Sequence, residues 1–358
     1  MGAASAQGPR SVGTRGPLVA GVELSAGTAR VIVARREDAR LRITGRGEAG
    51  LAEGAVTGGL VADRSSVAAA LATAFGAAEH GQRVERAVVA VDGDDVRTYH
   101  ISTSFEREES GAPVSAGEIA RATREAAAVA AKTATAAAED DPALRGVPTV
   151  RLHEDVASLS LDGRNLATLV GQRGRLVEVW SDVSLAPLVL SGAATGALDT
   201  ARRHGSVTPG AYALGRLLAE SGVTDAGIVR LGNDVTSIAL LRYGRVAATR
   251  TFGLGRVALA SRAQQTEADA RVWADCVLAS LRGLDELPPA RWLFVGVPET
   301  LQALPRALSE AVSGVRGGSV DAAALSVGIA SRTYGDVPLR PEDLVAVGAA
   351  ALASGVFA

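Results

Sequence analysis

The sequence predicts a duplicated α/β fold with a small α+β unit inserted into its first half. Three observations carry this. The order strand–strand–strand–helix–strand–helix occurs twice, once from residue 18 and again from residue 226. Between the copies lies a long alanine-rich stretch, "SAGEIARATREAAAVAAKTATAAAEDD", of strong helix propensity. It is followed by further strand-like segments with glycine turns.

Composition narrows the function classes. The chain of 358 residues has room for two or three domains. With 47% apolar but only 3% aromatic residues, its cores must be built from Ala, Val and Leu. The net charge is −2 and Lys132 is the lone lysine, so nothing points to nucleic acid. A single cysteine, Cys276, excludes an internal disulfide framework and suits a reducing cytosol, and metal cages of the Cys/His type are not expected. Residues 1–16 are small, polar and glycine-rich, and are expected to form a disordered tail with no signal peptide. Apolar runs such as Leu344 to Leu352 fall far short of the roughly 20 residues needed to span a bilayer. A cytoplasmic protein is expected.

"LVAGVELSAGTARVIVARRED" reads as two strands around a turn at Ser25, Ala26 and Gly27, with "LRITGRGEAG" as a third strand. A helix then opens near Asp63 or Ser65 and runs to about residue 79, followed by the buried strand "VERAVVAVDG". This is the opening order of half an actin-like, or ribonuclease-H-like, domain. Ser115 with Glu118 three residues on has the spacing of a capping box and starts the long helix 115–139. Three strands are expected over 149–183, with turns at Asp162-Gly163 and Gly171 to Gly174. Two helices follow, the second ending at Gly222. The hairpin "IVRLGNDVTSIALLRYG" and the strand "RVAATRTFGLG" begin the second copy. Ala270, Trp273, Ala274, Val277 and Leu281 mark an amphipathic helix. "ARWLFVGVPETLQALPRALSEAV" is strand, glycine turn, helix, and a helix over 342–354 closes the chain. The expected division is a tail (1–16), the first part of the first domain (17–84), the inserted subdomain (85–183), return helices (184–225) and the second domain (226–358).

From 18 to 354 these segments resemble the bacterial actin-like proteins of the FtsA and PilM type. "GVELSAGTARVIVA" is similar to that family's first phosphate loop, Gly-Φ-Asp-Φ-Gly-(Ser/Thr)-(Ser/Thr), where Φ is apolar. In the insertion, Asp162, Gly163, Asn165 and the run Val170-Gly171-x-x-Gly174-x-Leu176 resemble FtsA more than PilM, with Leu166 where proline is expected. The resemblance implies a duplicated actin-like ATPase fold with an inserted α+β subdomain, and a nucleotide cleft between the halves.

The chemistry of that cleft is degenerate. Glu23 stands for the first-loop Asp and Ser25 for a glycine, while Gly27 and Thr28 persist. The second loop, expected as Asp-Φ-Gly-Gly-Gly-Thr-Thr-Asp, reads Arg230-Leu231-Gly232-Asn233-Asp234-Val235-Thr236-Ser237. Arg230 replaces the metal-holding acid and is expected to pair with Asp234 or a neighbouring acid. Thr208 stands where a glutamate would polarise the attacking water, and a threonine cannot be a general base near neutral pH. The adenosine-side Leu-Thr-Gly-Gly appears as Phe294-Val295-Gly296-Val297. Glu23, Ser25, Gly27, Thr28, Gly232, Asn233, Thr236 and Gly296 are thus the remnants of nucleotide loops, implying no cofactor, or weakly bound ATP with Mg²⁺, no resident metal, and no catalytic residues.

The resemblance therefore implies a non-catalytic cytoplasmic scaffold like FtsA, recruiting partners such as FtsZ through the inserted subdomain, with self-association open. FtsA chains usually continue into a basic amphipathic helix, whereas this sequence ends at "ALASGVFA", so recruitment to the membrane's inner face by a partner is expected rather than direct insertion. The alternatives are a PilM-like platform of type IV pilus assembly, binding the cytoplasmic tail of a membrane protein, and a weak actin-like ATPase.

Overall fold

Alternation along the strands sets the layering. In β2 (Thr28–Glu37), Val31 and Val33 enter one core while Ile32 and Ala34 enter another, so the strand is covered on both faces. The structure, a computed structural model, describes residues 15–166, 168–260, 267–282, 284 and 287–356. The first sheet has the order β11 (His204–Pro209), β6 (Arg86–Val91), β1 (Arg15–Ser25), β2, β3 (Arg40–Gly50), β17 (Thr333–Tyr334). β1 (Arg15–Ser25), β2 and β3 (Arg40–Gly50) form an antiparallel meander; β6 (Arg86–Val91) and β11 (His204–Pro209) extend it in parallel on one side. A small ribbon of β4 (Val56–Thr57) and β5 (Leu60–Val61) precedes α1 (Arg64–Glu79), whose N-cap is Asp63.

The second sheet repeats the plan. β12 (Ala226–Leu231), β13 (Thr236–Arg242) and β14 (Arg245–Phe252) form the meander, and β15 (Arg291–Val295) and β16 (Asp321–Ala324) add in parallel beside β12. The short β17 (Thr333–Tyr334) returns to pair with β3 at the edge of the first sheet.

Two helices lie between the sheets: α4 (Gly210–Glu220), against the second, and α8 (Leu344–Ser354), against the first. They pack on each other and, with the inner faces of both sheets, form the central core. Their approach is close because small residues line it. A Cβ on Gly348 of α8 would stand 2.3 Å from the Ala213 carbonyl oxygen of α4, and one on Gly21 of β1 would stand 1.9 Å from the Ala346 carbonyl oxygen of α8. On the outer faces, α1 and α3 (Leu188–Thr200) cover the first sheet, and α5 (Arg256–Ala260), α6 (Glu267–Ser280) and α7 (Ala303–Arg316) the second.

The inserted unit is a separate antiparallel sheet of order β7-β10-β8-β9, made of β7 (Arg97–Glu106), β8 (Thr149–Leu161), β9 (Arg164–Asn165) and β10 (Leu176–Pro187). Helix α2 (Ala116–Asp140) packs on it through Ala126, Ala130, Ala134 and Ala138, one face at four-residue spacing. Its capping box forms: Ser115 Oγ accepts the Glu118 N–H at 3.1 Å, and Glu118 Oε2 accepts the Ser115 N–H at 2.8 Å.

Several boundaries differ from the sequence expectation. β6 pairs in the first large sheet, so the inserted sheet begins at β7 rather than at residue 85. Of three strands expected over 149–183, two are long and β9 has only two residues. β11 replaces what read as a connecting segment, because "HGSVTP" is too short and glycine-broken to show a strand period. The expected tail is shorter at its end, since β1 starts at Arg15; residues 1–14 lie outside the described residues. Among the described residues no helix is long and apolar enough to cross a membrane.

Candidate nucleotide cleft

The two-residue period of the strands delivers three charged side chains to one place. On β1, Glu23 follows Gly21 on the face toward α8. β6 runs parallel in register, with Ala90 opposite both Glu23 and Thr208 of β11. Asp92, two residues past Ala90 and just beyond the strand end, therefore continues the same face. On β12, Arg230 follows Ala226 and Ile228, which face the central core. All three residues sit at the C-terminal ends of strands, where open α/β sheets present their clefts.

There the Arg230 guanidinium bridges the halves. One nitrogen donates to Asp92 Oδ2 at 3.2 Å and the other to Glu23 Oε1. Glu23 is only 2% exposed, Asp92 6% and Arg230 7%. Arg30 also donates to Glu23, at 3.1 Å, so two carboxylates meet two guanidiniums. Asp92 Oδ1 accepts the Ala211 N–H at 2.8 Å, placing its charge at the N-terminus of α4, where the helix dipole favours an anion. Burial pushes the Asp92 carboxyl up and pushes the Arg230 guanidinium down to about 10, which leaves Arg230 charged at neutral pH.

The loop after β12 reaches across as well. Asn233 Nδ2 donates to the Ala26 carbonyl in the β1–β2 turn, and Asp234 Oδ2 accepts the Gly58 N–H at 2.6 Å. Arg230 thus pairs with neighbouring acids of the other half and not with Asp234. Gly27, at φ +85°, is required twice over, for its backbone angle and because a Cβ would meet Asn233 Nδ2 at 2.9 Å. Within the second loop, the Gly232 N–H donates to the Val235 carbonyl at 2.9 Å, and the Gly232 and Asn233 carbonyls accept from the N–H groups of Arg256 and Val257.

The other expected residues serve the fold. Ser25 Oγ donates to the Thr28 carbonyl at 3.4 Å across the hairpin. Thr236 is buried; its hydroxyl donates to the Leu254 carbonyl at 2.6 Å and accepts from Trp273 Nε1 at 3.0 Å. Gly296, at φ +75°, lies so near the Leu231 carbonyl that a Cβ would be 2.7 Å from it. Thr208 is buried on β11, its hydroxyl without a hydrogen-bond partner among the described residues. Asp92 was missed by sequence reasoning. Its signal was its place in "AVVAVDG", on the face of Val88 and Ala90, immediately past a buried strand.

As arranged, these residues do not fit a magnesium nucleotide. Metal-assisted phosphate chemistry needs free carboxylates and backbone N–H donors turned outward. Here the carboxylates are matched by guanidinium, the Gly232 N–H is bonded within its own loop, and the Asn233 amide is bonded across the cleft to the Ala26 carbonyl.

No family model matches the sequence, and no curated protein matches it. Its structure is similar over 94% of its length, and 98% of the other chain, to a chain of the PilM-PilN type IV pilus biogenesis complex, with TM-score 0.59 and 17% identity. The chain has the actin-like fold. The structure is also similar to the ethanolamine utilization protein EutJ from Carboxydothermus hydrogenoformans, at 13% identity and TM-score 0.46, over 93% of this chain and 89% of that one.

Proposed function

We propose that this actin-like chain is a non-hydrolytic scaffold that docks a protein partner in a membrane-associated assembly, in the manner of a pilus or secretion platform. The observation that supports the non-hydrolytic part is the Arg230 guanidinium between Glu23 and Asp92, at the position where the resemblance expects a metal-holding acid. The partner class follows from likeness over nearly the whole chain to a protein solved within a PilM-PilN complex. A PilN-type protein is the partner we infer, and the inserted unit is the surface that would recognise it. The FtsA-like reading rests on the run Asp162 to Leu176 in that same unit and would require FtsZ as partner instead.

Two measurements test this. Phosphate release with Mg²⁺ and ATP at micromolar protein should stay at the buffer rate, since losing even one transition-state donor typically costs about a hundred- to a thousandfold. Turnover well above buffer would overturn the non-hydrolytic reading. In parallel, purified full-length protein is offered the cytoplasmic segment of a PilN-type protein or FtsZ. Binding of the former, lost on Leu166→Asp/Val170→Asp in the exposed loop of the inserted unit, supports the platform reading. Binding of FtsZ alone replaces it with the division reading.

A further inference from the structure

The same cleft carries a second conclusion. We propose that Arg230 is a built-in cation that clasps the two halves of the molecule closed, so that the domain arrangement is independent of any nucleotide or metal. This deepens the reading of the cleft as non-hydrolytic. Its test reads domain geometry, so it can fail while the absence of turnover stands, and the reverse.

The basis is charge balance in a buried place. Glu23 and Asp92 belong to the first half and are nearly free of solvent, and two such carboxylates side by side cannot both stay ionised without a counter-charge. Small ligands such as Mg²⁺ can supply that charge only while bound. Arg30 of the same half meets Glu23 alone; Arg230 supplies the remaining charge covalently, from the opposite half, with one prong of its planar fork on each carboxylate. A lysine, as a point charge, cannot reproduce that two-pronged bridge.

Two further bonds cross the cleft at adjacent residues: Asn233 donates to the Ala26 carbonyl, and Asp234 accepts the Gly58 N–H. The loop that offers them is itself braced, because Arg256 donates to Asn233 Oδ1 at 2.6 Å. Residues at the positions of a phosphate loop thus act as fasteners. The helices α4 and α8, packed between the sheets, then have one seating rather than the alternatives that a ligand would select.

The experiment uses the full chain with spin labels at Ala72 on α1 and Glu310 on α7, both exposed and on opposite outer layers, in a Cys276→Ser background. With Arg230 intact, the label-to-label distance distribution should be single and narrow, and unchanged by Mg²⁺-ATP or by EDTA. Arg230→Ala should broaden and lengthen it and lower the melting temperature by about 10 °C, the order expected when a buried charge loses its partner. Low-millimolar guanidinium should reverse part of both changes, and sodium or urea at the same concentration should not. If Arg230→Ala does not fold, Arg230→Lys is used. It keeps the charge without the fork and should show a smaller broadening. A distribution that shifts with Mg²⁺-ATP while Arg230 is present, or an Ala or Lys variant with unchanged distances and melting temperature, overturns the proposal.

Discussion

The Tyr212 hydroxyl donates to Asp182 Oδ2 at 3.0 Å and so ties the first turn of α4 to an inner strand of the inserted sheet. Asp155 Oδ2 stands 3.2 Å from the same hydroxyl, and Arg216, one turn on along α4, pairs with Asp155 at 3.1 Å. His100 Nδ1 lies 2.7 Å from Asp182 Oδ1. Burial, followed by the two carboxylates, holds the Tyr212 hydroxyl well above the ordinary range, so it keeps its proton and remains a donor. The preceding residue, Ala211, donates to Asp92. One turn of α4 therefore touches both the cleft and the inserted unit.

Removing that hydroxyl should be costly. Tyr212→Phe keeps the buried ring but leaves Asp182 short of one donor, and hydrogen bonds to charged groups contribute about 1.5–3 kcal/mol. The expected loss is about 2 kcal/mol, read as a lower urea midpoint with an unchanged slope. An unchanged midpoint would show that water replaces the hydroxyl.

The same network makes stability fall in mild acid. Burial lowers His153 below its usual value, against the opposing pull of Asp155 and Asp182 and with the help of Arg216, while its ring lies against Tyr212 with centroids 5.2 Å apart. The folded state thus resists a proton that the unfolded chain accepts. Stability from this group is complete above about pH 6.5 and declines as pH falls from there toward the lowered value, by at most about 1.4 kcal/mol per pH unit. His153→Phe keeps a ring there and should flatten the urea midpoint between pH 7 and 5.5 (about the His range). An equal slope in both proteins would assign the effect elsewhere.

Thr236 predicts a contrast between two conservative changes. Thr236→Val preserves shape but strands the buried Trp273 N–H and removes the donor to the Leu254 carbonyl. It should destabilise by about 1–3 kcal/mol. Thr236→Ser retains the hydroxyl and should lose less. Denaturant midpoints of the pair decide whether this threonine is held for the fold, and a Val variant as stable as the parent refutes it.

Gly21 is a packing position. In Gly21→Ala the new Cβ would meet the backbone of α8, with the Ala350 N at 2.3 Å as well as the Ala346 oxygen, and neither can rotate away. A loss of about 3 kcal/mol or more is expected, at the upper end for overpacking. Gly50→Ala, where a Cβ meets nothing within 4 Å, is the control and should change stability by less than about 0.5 kcal/mol. Melting temperatures of the two variants give the comparison.

Much of the architecture is legible in the sequence, because it depends on near neighbours. The period of two in β1, β2, β12 and β13, the Ser115–Glu118 box, the Asp162-Gly163 turn and the repeated element order are all set by local sterics and by which face is apolar. Those same periods placed Glu23 and Arg230 at strand ends. The resemblance to actin-like proteins, and not the period, implied a cleft whose loops lack the glycines for phosphate. What the sequence could not decide was what Arg230 touches. Its partners lie 207 and 138 positions away, and pairing with Asp234, four residues on, was an equally open expectation. The choice was made by the packing of α4 and α8 between two sheets, which brings the ends of β1, β6 and β12 together. Once those carboxylates are buried, Arg30 of their own half meets only Glu23, and the guanidinium that reaches both comes from the facing half.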